Sequence, residues 1–200
     1  MHQTGVVRSH PKDGLPILPF ASTRDWESWL EEHHDSSAGL WLQIAKKASG
    51  LETVTYAQAL DVALCFGWID GQKAGYDEVY FLQRFTPRRA RSKWSQINVD
   101  KVTELIAAGR MRPSGLAQIE AARADGRWDA AYGGMATITV PDDLQAALDA
   151  NPAAAAFFAT VSRTNRYAVL YRVYDAKRPE TRARRIEALV AMLADGKTLH

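Results

Sequence analysis

Alternation of apolar and polar residues marks AGLWLQIAKK (38–47) and the pair WIDGQKAG (68–75) and EVYFLQRFT (78–86), all before residue 90. Strand side chains repeat every two residues, so this pattern confines any sheet to the first half of the chain. Beyond Gly133 and Gly134 the apolar spacing is three and four residues, the period of helices. The expected fold is α+β: a small antiparallel sheet with packed helices in the N-terminal part, and an all-helical C-terminal module.

Local signals fill in this outline. STRDWESWLEEHH predicts a helix capped by Ser22 or Thr23, with Trp26, Trp29 and Leu30 inward. TYAQALDVALCF opens with Thr55 and Gln58 at capping-box spacing. The turn at Gly75 to Asp77 makes a hairpin with Val79, Phe81 and Phe85 inward and Tyr80, Leu82 and Arg84 on the other face. Further on, Ser114 is the expected cap of PSGLAQIEAARADG. Asn151 with Pro152, and Pro179, start helices in the last third, where Ile186, Leu189, Val190 and Leu193 form a stripe. The expected division is a flexible tail over 1–18, an N-terminal domain over 19–132 and a helical module over 139–200. Gly5, Pro11, Gly14 and Pro16 motivate the tail.

A length of 200 residues with 46% hydrophobic composition supports a sizeable core. The net charge of +2 is too small to imply nucleic-acid binding by itself. A single cysteine, Cys65, excludes an internal disulfide, and no apolar run reaches the length of a bilayer span or a secretory signal, so the expected location is cytoplasmic. Phosphate-loop, dinucleotide-binding and nucleophile-elbow motifs are absent, as is metal-ligand spacing around His33 and His34, so no cofactor and no metal is expected.

The charge that matters is local. RFTPRRARSKWS (84–95) holds Arg84, Arg88, Arg89, Arg91 and Lys93 without an acid. Pro87 lacks an N–H and discourages further ladder pairing, which puts the following cations on a loop. Ser92, Ser95 and Asn98 add hydrogen-bonding groups at the start of the next helix, where an anion is favoured. Two readings stay open: an anion site, or a solvated loop whose arginine stems cover Trp94. Upstream, Trp68, Asp70 and Lys73 form a second polar set, with Arg84 as the expected ion-pair partner of Asp70 across the hairpin. Arg166 belongs to another basic stretch, 163–185, expected to meet the loop around one cavity.

WLQIAKKASG, CFGWIDGQK, RFTPRRARSKWSQINVDKV and AKRPETRARRIEALVAML, among others, make residues 20–200 resemble the YdeI/OmpD-associated, or bacteriocin-protection, family. The resemblance implies a role in protection against bacteriocins and antimicrobial peptides, with no catalytic residues to carry over. The expected function is thus non-enzymatic binding in stress protection, with an anionic small molecule or acidic protein as partner and nucleic acid disfavoured. The alternative is an enzyme acting on a phosphorylated or carboxylated small molecule through Asp70, Lys73 and Arg84, in a pocket lined by Trp68, Asp70, Arg84 and Trp94.

Overall fold

The structure is a computed structural model that describes residues 8–134 and 137–200. It divides into two compact units, Met1–Trp94 with Asn98–Ala130, and Ser95–Ile97 with Ala131–His200.

The first unit is built on four strands: β1 (Ile17–Pro19), β2 (Leu40–Ala45), β3 (Trp68–Gly75) and β4 (Tyr80–Pro87), in the order β1-β2-β4-β3. The β3–β4 hairpin and the β2–β4 pair are antiparallel, whereas β1 runs parallel to β2. The sheet is therefore mixed rather than antiparallel, because β1 comes from the segment read as tail. Masked by its turn residues, that segment has too short an apolar run to register as a strand. Residues 8–18 are not loose: His10 stacks on Trp41 at 4.0 Å, and Asp13 accepts from Trp41 Nε1 (2.9 Å) and Arg84 Nε (2.8 Å). They cover the second face of the sheet, where Ile17, Trp41 and Leu82 are buried together. This explains why Trp41 and Leu82, on the face opposite Leu40 and Phe85, are 1% exposed.

Against the first face pack α1 (Thr23–His33) and α2 (Tyr56–Cys65). Both carry complete capping boxes, Ser22 with Asp25 and Thr55 with Gln58. Trp26, Leu30, Trp68 and Phe85 are buried, and Trp26 and Trp68 satisfy their indole N–H groups on the carbonyls of Ala59 and His34, both at 3.0 Å. The CFGW turn needs its glycine: Gly67 sits at φ +77°, and an added Cβ would lie 2.9 Å from Gln118 Cγ.

Two more helices complete the unit, α3 (Gln96–Ala107), whose first two residues fall in the second unit, and α4 (Pro113–Ala124). Arg112, not Ser114, is the N-cap residue of α4, since Pro113 already occupies the first turn. Gly115 lets α4 approach α2 closely, because a Cβ there would fall 2.2 Å from the Cys65 carbonyl oxygen.

The second unit contains α5 (Asp142–Asp149), α6 (Pro152–Thr160), α7 (Arg163–Asp175) and α8 (Pro179–Ala194). Leu144, Leu148, Phe158, Leu170, Val173 and Leu193 share its core with the α8 stripe. The glycine pair read as a seam is followed by Met135 and Ala136, which lie outside the described residues. Among the described residues, no helix is long and apolar enough to cross a membrane.

Candidate functional site: a braced basic loop

The loop after β4 is organised by an arginine turned inward. Arg88 is 6% exposed, its guanidinium lies 3.7 Å from the ring centroid of Trp94, and its Nη1 donates to the Lys93 carbonyl (3.2 Å). The backbone N–H of Arg88 donates to the Gly67 carbonyl (3.0 Å), tying the loop to the CFGW turn. Arg89 N–H donates to Ser92 Oγ (3.0 Å), which closes a tight turn within the loop.

A second brace comes from the turn that follows α4. Arg127 Nη1 donates to the Ser92 carbonyl (2.9 Å) while its Nε bonds both oxygens of Asp125 (2.9 and 2.8 Å). Hydrogen bonding by Arg127, partly opposed by desolvation, holds the Asp125 carboxyl below its usual range. Trp128 packs on Trp94 at 5.1 Å, and the Arg123 guanidinium lies 4.8 Å from the Trp128 ring centroid. The result is a ladder, Arg88–Trp94–Trp128–Arg123, behind a loop whose tip exposes Arg89 and Arg91.

Arg123, Arg127 and Trp128 were not among the residues expected at this surface. The signal for them was the run AARADGRWDA, which repeats the loop's combination of arginines with one tryptophan. One arginine covers Trp94, as in the solvated-loop reading, while Arg89 and Arg91 face solvent.

The other expected site residues have separate local partners. Trp68 is a core residue, packed edge-on against Trp26 and Trp29. Asp70 does not pair with Arg84: it accepts from the Tyr56 hydroxyl (2.8 Å), and Arg84 goes to Asp13. Asp70 is in register with Phe85, so Arg84, one residue along β4, points to the opposite face, where the residue 8–18 segment supplies Asp13. Lys73 lies over the Phe81 ring at 4.2 Å. The four residues expected around one pocket, Trp68, Asp70, Arg84 and Trp94, thus each have contacts of their own. Asn98 stands in the first turns of α3, whereas Ser95 belongs to the second unit, bridged to Tyr132. Arg166 is in the second unit too, with its guanidinium 4.5 Å from the Phe158 ring centroid.

Cys65 is buried, and burial pushes its thiol up, away from the thiolate form. Burial also raises the Tyr56 phenol, reinforced by its hydrogen bond to the negative Asp70.

Two family models match the chain. One, described as a domain of unknown function (DUF8412), covers residues 18–118, including the CFGWIDG and RFTPR motifs and the whole basic loop. The other, described as "Bacteriocin-protection, YdeI or OmpD-Associated", covers residues 137–196, including AKRPETRARRI, a narrower span than the motifs alone suggested. No curated protein and no solved structure matches the chain. The chain belongs to the DUF8412 family through its sheet-bearing part and carries a bacteriocin-protection, YdeI or OmpD-associated domain in its helical part.

Proposed function

We propose that this is a non-enzymatic binding protein acting in stress protection, and that its first unit meets an acidic protein partner through the braced loop. The observation that carries this reading is the division of labour among the loop's arginines. Arg88 is spent inside as a strut, which fixes the loop backbone that carries the exposed Arg89 and Arg91 before any partner arrives. Preorganisation of this kind lowers the ordering cost of binding, and guanidinium suits bidentate pairing with carboxylates. A positive face repels a cationic peptide, so protection here works through an acidic partner and not by sequestering the peptide on this surface. The enzymatic alternative has no comparable support, because Asp70, Lys73 and Arg84 are engaged by Tyr56, Phe81 and Asp13 respectively.

Polyglutamate serves as the probe. The protein is expected to bind it at low salt and release it as salt rises, and Arg89→Ala with Arg91→Ala is expected to weaken binding by about tenfold, the effect of losing roughly 1.4 kcal/mol. Binding that ignores both salt and the double substitution overturns the choice of surface.

A further inference from the structure

We infer that the cleft between the first turns of α1 and α2 and the loop after β2 binds an amphipathic monoanion, an acyl or aryl carboxylate. The cleft lies wholly within the first unit and has a volume of about 850 Å³, within the size range of small-molecule sites. Ile44 and Val54, 3% and 1% exposed, line it together with Phe81, the register partner of Ile44 across β2 and β4.

The mouth is apolar as well. Leu51 and Tyr56 line the cleft yet are 53% and 39% exposed, two of the few large hydrophobic side chains left in water. Covering them recovers the hydrophobic stabilisation they lack in the free protein. The Tyr56 ring is held in place by its hydroxyl, which is tied to Asp70.

Charge selects the sign of the occupant. Lys46 and Lys47 line the cleft, and the Lys73 ammonium lies over the Phe81 ring, whereas Glu52 is the one acidic side chain in the lining. Lys46 Nζ donates to the Asp77 carbonyl at 2.7 Å, which positions the ammonium while leaving it further protons to donate. At the two helix N-termini the capping boxes of Ser22 and Thr55 already occupy the N–H groups of Asp25 and Gln58, so those donors do not serve the anion. Recognition of one negative head therefore falls to the lysines, and recognition of the tail to Phe81, Val54 and Leu51.

The inference does not rest on the basic loop, and the experiment separates the two. Anilinonaphthalene sulfonate, an aromatic monoanion, is titrated into the full chain, followed by displacement with decanoate, decanol or decyltrimethylammonium. The expected result is saturable dye fluorescence that decanoate displaces and the neutral and cationic amphiphiles do not. Ala21→Trp, which fills the mouth from an exposed lining position, is expected to abolish dye binding. Lys46→Glu with Lys47→Glu is expected to weaken it by about tenfold or more. Arg89→Glu with Arg91→Glu is expected to leave it unchanged. Absence of dye binding to the native chain, equal displacement by decanol, retention in both cleft variants, or loss in the loop variant overturns the inference, with circular dichroism confirming that each variant is folded.

Discussion

Arg88 lies over the Trp94 ring at 3.7 Å and is 6% exposed, while its sequence neighbour Arg89 faces solvent. Adjacent and chemically identical, the two residues do opposite things. One stabilises the loop and the other presents charge.

Substitution separates these roles. Arg88→Ala is expected to lower stability by about 2 kcal/mol, through loss of a desolvated cation–π contact. Arg89→Ala is expected to stay within about 0.5 kcal/mol of the parent, as exposed positions generally do. Urea unfolding of the two variants checks this, and equal destabilisation removes the strut interpretation.

Asp13 joins the segment before β1 to the sheet, and its carboxyl responds to competing influences. Burial opposes its ionisation, but hydrogen bonds from Trp41 and Arg84 outweigh it and hold the carboxyl below its usual range. A lowered folded pKa means the unfolded chain binds the proton more readily, so this stabilisation is present above roughly pH 4 and is lost as acid titrates the folded group. Asp13→Asn is expected to be less stable at neutral pH and to show a shallower decline of melting temperature below roughly pH 4. A parent-like acid limb in the variant assigns the decline to other carboxylates.

Gly115 faces the backbone of α2. Gly115→Ala places a methyl group 2.2 Å from the Cys65 carbonyl oxygen, which neither backbone can easily yield to. The expected loss is about 3 kcal/mol despite the better helix propensity of alanine. Stability equal to or above the parent in a melting experiment contradicts the close packing of α2 and α4.

In the second unit Arg182 ties three helices. Its Nη2 donates to Asp143 Oδ1 (2.8 Å) before α5's first apolar residue, and its Nη1 donates to the Val173 carbonyl (2.8 Å) near the end of α7. The hydrogen bonding from Arg182 to its carboxylate, partly opposed by desolvation, holds the Asp143 carboxyl low. Lysine cannot reproduce a fork that reaches both acceptors, so Arg182→Lys is expected to cost about 1 kcal/mol. Amide exchange in the last turn of α7 reports this directly, and unchanged protection at Val173 and its neighbours counts against the tie.

The sequence alone determined where the hairpin ends and helices take over, and several of the helix caps, though not strand β1 or the cap of α4. Thr55 with Gln58, Asn151 with Pro152 and the α8 stripe all lie where expected, because capping and periodicity are relations between residues a few positions apart. Family membership was legible for the same reason, in contiguous motifs such as AKRPETRARRI.

Tertiary structure alone decided what each charge does. Arg84 finds Asp13 across 71 positions, Asp70 finds Tyr56 instead of Arg84, and Trp128 arrives beside Trp94 from the turn beyond α4. A guanidinium can be satisfied equally by a carboxylate, a carbonyl or an aromatic face. Which of them it meets depends on the packing of distant segments, and the order of residues along the chain carries no local sign of that choice.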